Sequence, residues 1–170
     1  MPPTIFIFSG LPASGKSTLS KYIAKQYNAA YLRIDTMEQG LKDFFKSNVY
    51  SEGYELSYRI ASDNLKIGNN VVADSCNSIR KTREEWEEVA KINNSLFINI
   101  QVICSDMDEH QKRIETRTSE IEGLQSPTWE DVKNREFQPW TSNVITIDTA
   151  NKSIEKSLTE LNIKIQKYLE

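Results

Sequence analysis

The stretch that decides the fold of this chain is IFIFSGLPASGKSTLS, residues 5–20. It begins with a short apolar run, residues 5–8, which is followed by a loop between Gly10 and Lys16. Apolar residues at helical spacing then begin with Leu19. A short buried strand, a glycine-containing loop and a helix in this order are typical of an α/β domain built on a parallel sheet.

The loop at residues 10–17 matches the pattern G-x-x-x-x-G-K-[ST], and it lies in the strand-to-helix context that this pattern requires. Glycines let backbone N–H groups turn inward, where they and the helix N-terminus bind phosphates. Lys16 would place its charge between the β- and γ-phosphates, and the Ser17 hydroxyl would bind Mg²⁺. The sequence therefore predicts that ATP and Mg²⁺ are bound by Gly10, Ala13, Ser14, Gly15, Lys16, Ser17 and Thr18.

The composition favours one domain, residues 1–170, and excludes several classes of protein. Hydrophobic residues make up 38% of the chain, and 21 basic against 24 acidic residues give a net charge of -3, which does not favour a nucleic acid as partner. The first residues carry no basic segment before their short apolar run, so we expect no signal peptide, no membrane span and a cytoplasmic protein. Two cysteines and one histidine are too few for a disulfide framework or a zinc site.

Short apolar runs alternate with helical patterns along the whole chain, which predicts a parallel sheet of five strands packed against helices. The predicted strands are residues 5–8, 30–34, 70–73, 96–104 and 144–147. A helix with apolar residues at spacings of three and four closes the chain after residue 154. The segment 116–127 has weak periodicity and contains Gly123 and Pro127, so it is predicted to be a mobile loop.

Two carboxylates follow predicted strands at the edge of the sheet that carries the phosphate loop. Asp35 follows the run 30–34, and Asp74 follows the run 70–73. Ligands of open parallel sheets bind at the carboxyl ends of the strands, so one Asp could hold the Mg²⁺ shell and the other could accept a proton from a substrate hydroxyl. The residues alone do not say which Asp has which role, and either could simply cap the following helix.

Together these segments resemble the P-loop kinases related to chloramphenicol phosphotransferase, polynucleotide 5'-kinase and zeta toxin. The resemblance spans nearly the whole chain, and the phosphate loop is its most specific part. It is also carried by Asp35, the segment VVADSCN at residues 71–77, Arg83, and the pair Arg113 and Arg117. It implies a three-layer fold in which helices cover both faces of a five-stranded parallel sheet and a small mobile lid, about residues 113–127, closes over the site.

The resemblance also implies roles for residues at the strand ends. Asp74 would lie near Mg²⁺, and Asp35 would bind the acceptor hydroxyl and act as the general base. Asn77, three residues after Asp74, could either hydrogen-bond the acceptor or fix its own loop.

Arg113 and Arg117 match the lid arginines of such kinases, which would stabilise charge on the transferred group when the lid closes. They lie four residues apart and so share a helix face. The alternative is that they are surface charges paired with Glu109 or Glu120.

The predicted function is transfer of the γ-phosphate of Mg·ATP to a hydroxyl of a small molecule. Two alternatives stay open: a switch that binds and slowly hydrolyses ATP, and a polynucleotide 5'-kinase. Neither the acceptor nor the oligomeric state can be predicted from the residues.

Overall fold

Five parallel strands form one sheet at the centre of the computed structural model, which describes residues 2–169. Met1 and Glu170, the two ends of the predicted domain, lie outside the described residues. The order across the sheet is β2-β3-β1-β4-β5, and every neighbouring pair is parallel. The strands are β1 (Thr4–Ser9), β2 (Ala30–Arg33), β3 (Val71–Asp74), β4 (Leu96–Ile103) and β5 (Ile145–Asp148).

Helices cover both faces of the sheet, which confirms the predicted fold class. Within the described residues they are α1 (Lys16–Gln26), α2 (Ile34–Phe45), α3 (Glu52–Lys66), α4 (Arg80–Ile92), α5 (Met107–Thr116), α6 (Trp129–Lys133) and α7 (Ile154–Leu169). Among these none combines the length and the hydropathy needed to cross a bilayer.

The central strand β1 is buried on both sides, because successive side chains of a strand point to opposite faces of the sheet. Phe6 and Phe8 lie in a core cluster with residues of α1 and α7, and Ile5 and Ile7 lie in a second cluster with residues of α3 and α4. Both clusters meet at β1. The phosphate loop therefore follows a strand that is buried on both faces and paired with a neighbouring strand on each edge.

The boundary between β2 and α2 differs from the prediction. The strand ends at Arg33, which lies opposite Asp74 of β3 in the parallel ladder, and Ile34 already belongs to the helix. Ile34 is buried in the helix as it would be in a strand, so the apolar run 30–34 does not mark the change. Asp35 consequently lies in the first turn of α2 rather than beyond a strand.

The predicted lid begins in α5 and continues into a segment without regular structure. Arg113 lies within α5, and Arg117 is the residue that ends this helix. Residues 117–128 form neither helix nor strand. Thr128 and Asp131 then form a capping box that starts the short helix α6.

Candidate nucleotide and acceptor site

The phosphate loop curves through three residues with positive φ. Gly10 has φ of 148°, Ala13 of 61° and Gly15 of 92°. The Gly10 N–H donates to the Cys76 carbonyl at 3.1 Å. A Cβ on Gly10 would lie only 2.3 Å from the Val102 carbonyl oxygen, so both the backbone angle and the space require glycine.

Contacts from outside the loop hold two of its carbonyl groups. His110 Nε2 donates to the Pro12 oxygen at 2.8 Å, and the Thr149 hydroxyl donates to the Ser14 oxygen at 2.8 Å. Both side chains are buried. Sequence reasoning assigned neither residue to the site, because a lone His and a Thr after a strand carry no motif.

Lys16 and Asp74 form a buried ion pair below the loop. Lys16 Nζ lies 2.5 Å from Asp74 Oδ1, and the Tyr31 hydroxyl donates to Asp74 Oδ2 at 2.5 Å. Burial alone would raise the pKa of Asp74, but the charge of Lys16 and these hydrogen bonds lower it to about 2. Burial opposes the charge of Lys16, yet the carboxylate beside it raises the pKa of the ammonium group. The pair is therefore ionised at neutral pH.

The donor set at this point suits Mg²⁺. The Ser17 hydroxyl is close enough to Asp74 to help lower the pKa of that carboxyl. A hydroxyl and a carboxylate are oxygen ligands of the kind that Mg²⁺ takes, and Mg²⁺ usually completes its shell with water and phosphate oxygens rather than with further side chains. Residues 2–169 contain no group of three His, Cys, Asp or Glu side chains that could hold a metal ion by themselves.

A cavity of about 870 Å³ opens along the carboxyl ends of the strands. Arg33 and Asp35 line it beyond β2, the loop lines its middle, and Thr149 and Ile154 line it beyond β5. Since β2 and β5 are the two edges of the sheet, the cavity extends across the whole width of the sheet. Of the residues predicted for the site, the cavity is lined by Ala13, Gly15, Lys16, Ser17, Thr18, Asp35, Arg113 and Arg117. Gly10, Ser14, Asp74 and Asn77 are buried behind this lining.

Two carboxylates of α2 lie one turn apart at the β2 end of the cavity. Asp35 and Glu38 are both half-buried and line it. Neither makes an ion pair or a side-chain hydrogen bond within residues 2–169, and the Asp35 side chain does not cap α2. Burial and the nearby Asp35 raise the pKa of Glu38. Gly53 of α3 provides room for this side chain, because a Cβ there would lie 2.4 Å from Glu38 Cγ.

The two predicted lid arginines have different surroundings. Arg113 donates to the hydroxyl of Thr149 at 2.8 Å, to its carbonyl at 3.0 Å and to Glu109 at 2.6 Å. Arg117 lines the cavity, and its side chain has no hydrogen-bond or ion-pair partner in the described part of the chain. The pairing with Glu109 that was an alternative for these arginines thus applies to Arg113.

Glu120 of the lid segment bonds to cations on other elements. Its carboxylate lies 2.5 Å from Lys21 of α1 and 3.1 Å from Arg33 of β2. The predicted alternative, in which Glu120 pairs with Arg113 or Arg117, is therefore not observed. These contacts connect the segment 117–128 to α1 and β2.

Asn77 lies in a loop-fixing position. Its Nδ2 donates to the Phe8 carbonyl at 2.7 Å, its side chain is fully buried, and its φ is 43°. Arg83, itself buried, donates to the Asn77 carbonyl at 2.7 Å. Of the two predicted roles, these contacts correspond to fixing the loop, and the acceptor contact of Asn77 stays a prediction.

A phosphate loop after the central strand of a five-stranded parallel sheet, with helices on both faces, defines a P-loop domain of the kinase type. The chain belongs to the AAA_33 family: the model of this family, described as an AAA domain, matches residues 5–139. No curated protein gave a significant match.

Solved structures share this fold over nearly the full length of both chains. A protein of Chloroflexus aurantiacus J-10-fl, named only as a candidate kinase, has a TM-score of 0.75 at 22% identity and covers 98% of this chain and 97% of its own. The APS kinase CysC of Mycobacterium tuberculosis, solved with AMPPNP and APS, has a TM-score of 0.69 at 15% identity, covering 97% and 98%. Kti12 of Chaetomium thermophilum, solved with ADP-AlF3, has a TM-score of 0.66 at 22% identity, covering 96% and 97%. The narrower relationship to chloramphenicol phosphotransferase, polynucleotide 5'-kinase and zeta toxin stays a prediction.

Proposed function

We propose that this protein is a kinase that transfers the γ-phosphate of Mg·ATP to a hydroxyl group of a small molecule. The observation that carries the proposal is one continuous cavity that joins the phosphate loop to the unpartnered carboxylate of Asp35 within the described residues. A protein that only hydrolysed ATP would need one group to position the attacking water, but it would not need a cavity that continues to the edge of the sheet, where Asp35 and Glu38 lie. A phosphotransferase needs a group there to orient the acceptor and take its proton.

ATP would bind with its phosphates against the backbone N–H groups of the loop and the N-terminus of α1. Lys16, paired with Asp74 in this structure, would then share its charge with the β- and γ-phosphates. Mg²⁺ would be held by Ser17, with Asp74 contacting it directly or through water, and it would neutralise charge on the phosphates. This gives the Lys16–Asp74 pair a second use once the nucleotide is bound.

Asp35 would act as the general base. It faces the cavity without a partner in residues 2–169, so its carboxylate can accept a hydrogen bond from an acceptor hydroxyl. Glu38, one turn further along α2, would bind a second polar group of the acceptor. A small molecule with several hydroxyls fits this arrangement better than a nucleic acid, in keeping with the net charge of -3.

Arg117 would stabilise the charge on the transferred group when the lid closes. The guanidinium group of Arg113 is already fixed by Thr149 and Glu109 before closure, whereas the Arg117 side chain lines the cavity and has no partner in the described residues. A delocalised cation that arrives with closure stabilises the transition state more than the bound substrate.

Proteins of the same fold give further support. One is named as an APS kinase and another, from Sinorhizobium meliloti 1021, as a gluconokinase. Both names describe transfer to a small molecule. We also propose that the protein is cytoplasmic and that residues 1–170 form a single domain with a lid at about residues 113–127.

The substitution Asp35→Asn tests the proposal. It keeps the size of the side chain but removes the base, so phosphorylation of the acceptor should fall by about a hundredfold or more while the Kd for Mg·ATP stays nearly unchanged. Asp43→Asn, on an exposed position of the same helix, is the matched control and should behave as the wild type.

The assay combines a metabolite panel, ADP release and mass spectrometry of the products. If Asp35→Asn leaves both Mg·ATP affinity and phosphorylation intact, Asp35 is not the base. If ADP release does not depend on any acceptor and no product gains a phosphate, the protein is instead an ATP-hydrolysing switch.

A further inference from the structure

Thr149, the residue after β5, hydrogen-bonds to the end of β4, to the phosphate loop and to α5 at the point where these segments meet. Its N–H donates to the Ile103 carbonyl at 2.9 Å, which fixes its backbone to the end of β4. Its hydroxyl accepts from Arg113 Nη1 at 2.8 Å and lies within reach of two carbonyl oxygens, that of Ser14 at 2.8 Å and that of Ile103 at 3.1 Å. A hydroxyl has only one proton, and the shorter distance favours donation to Ser14. Its own carbonyl accepts from Arg113 Nη2 at 3.0 Å.

The bond to Ser14 determines which way the loop N–H groups point. In a trans peptide the C=O and the following N–H point in opposite directions. Because the Ser14 carbonyl points to Thr149, the N–H of Gly15 points to the other side of that peptide, away from Thr149. The Thr149 methyl group also packs against Gly15, where an added Cβ would lie 3.3 Å from it.

The bonds to Arg113 fix the plane of its guanidinium group. Two parallel N–H donors meet the hydroxyl and the carbonyl of a single residue, and Glu109 accepts a third bond from the same side chain. A guanidinium group held at both terminal nitrogens loses its rotational freedom before a ligand arrives, which lowers the entropic cost of binding.

We propose that Thr149 is a positioning residue, whose hydroxyl holds the Ser14–Gly15 peptide and the Arg113 guanidinium group in a fixed arrangement for the phosphates of a nucleotide. The inference rests on the proposed function, since it assumes that Mg·ATP binds to the loop. It names a residue that no motif identifies and that need not touch the nucleotide itself.

Three substitutions separate this role from ordinary packing. Thr149→Val keeps the shape of the side chain and removes the hydroxyl, whereas Thr149→Ser keeps the hydroxyl. Thr146→Val is the control: it replaces Thr by Val within β5, where the Thr146 hydroxyl bonds to none of residues 2–169. Thr149→Val should raise the Kd for Mg·ATP by about ten- to a hundredfold, the usual effect of losing a hydrogen bond to a charged group together with the bond to the loop. The Kd of Thr149→Ser for Mg·ATP should stay within about threefold of the wild-type value, and the Kd of Thr146→Val should equal the wild-type value.

A double-mutant cycle with Arg113→Gln, measured by isothermal titration calorimetry, gives the decisive readout. If Thr149 acts through Arg113, the double variant should lose less affinity than the product of the two single losses. Independent losses, or an unchanged Kd in Thr149→Val, would overturn the inference while leaving the kinase proposal standing. If Thr149→Val does not fold, Thr149→Ser is the variant that tests the inference. A folded Thr149→Ser protein whose Kd for Mg·ATP is tenfold weaker would overturn the inference, and one with near-wild-type affinity would support it. A wild-type protein that binds no Mg·ATP would instead remove the kinase proposal.

Discussion

At the scale of single residues, the ion pair of Lys16 and Asp74 is the feature with the largest electrostatic effect. Asp74 is completely buried and Lys16 is nearly so, and each charge is therefore compensated mainly by the other. Breaking one side of such a pair leaves the other charge uncompensated, which is more costly than the pair itself is favourable. The pair therefore couples the stability of the fold to the protonation of one carboxyl.

This coupling predicts a specific pH dependence of stability. The pKa of Asp74 is about 2 in the folded protein, below its ordinary value of 3.8, so the pair stabilises the fold above about pH 4. The stabilisation decreases as the pH falls toward 2. Between pH 5 and pH 3 the free energy of unfolding of the wild type should decrease by about 1 kcal/mol more than that of Asp74→Asn.

Urea unfolding at the two pH values measures this difference, and Asp63→Asn, an exposed position of α3, is the control that should keep the wild-type slope. Equal slopes in the wild type and Asp74→Asn would show that Asp74 is not the group that titrates.

How far the sequence predicts the site depends on whether a residue acts within a local pattern. Lys16 and Ser17 were identified because the phosphate loop has a fixed spacing that the chemistry requires. Tyr31, His110 and Thr149 were not, because each contacts the site through a hydrogen bond between segments distant in sequence. Such contacts depend on the order of strands in the sheet, which the residues of one strand do not encode.

At the scale of secondary-structure elements, the strands and most helices follow from apolar periodicity, and the boundary at α2 does not. Ile34 is buried on the sheet side of a helix, so its hydrophobicity fits both a strand and a helix. Because the start of α2 could not be placed from the sequence, Glu38 could not be predicted to line the cavity. Once α2 is known to begin at Ile34, the spacing of three residues places Asp35 and Glu38 on one face.

The lid segment is another element whose behaviour can be tested. Glu120 connects it to Lys21 and Arg33, so Glu120→Gln should increase amide hydrogen exchange in residues 117–128. The ion pairs are exposed, and the free energy of global unfolding should therefore change by less than about 1 kcal/mol.

Hydrogen exchange with mass spectrometry measures the first effect and urea unfolding the second. Glu122→Gln, in the same segment, is the control, because Glu122 makes no ion pair within residues 2–169. An unchanged exchange rate in Glu120→Gln would mean that these pairs do not hold the lid.

At the scale of the whole molecule, the two core clusters share the strands of one sheet. Residues on opposite faces of β1 belong to different clusters, so neither cluster can be lost without exposing the other. Unfolding by urea should therefore be a single transition, as is usual for a domain of this size.

Far-ultraviolet circular dichroism reports the helices, and fluorescence reports the tryptophans, of which Trp86 is fully buried between α4 and the sheet. The two signals should change at the same urea concentration. Two separate midpoints would contradict the proposal that the chain is one domain.

The strand order also determines when the protein becomes competent during its synthesis. The first strand made lies between β3 and β4, and both are made later. The loop that follows it donates a hydrogen bond to Cys76 and accepts hydrogen bonds from His110 and Thr149. A nascent chain that stops short of Thr149 carries every residue of the phosphate-binding motif and still lacks one of the contacts that shape the loop, so full affinity for nucleotide should appear only after Thr149 has left the ribosome.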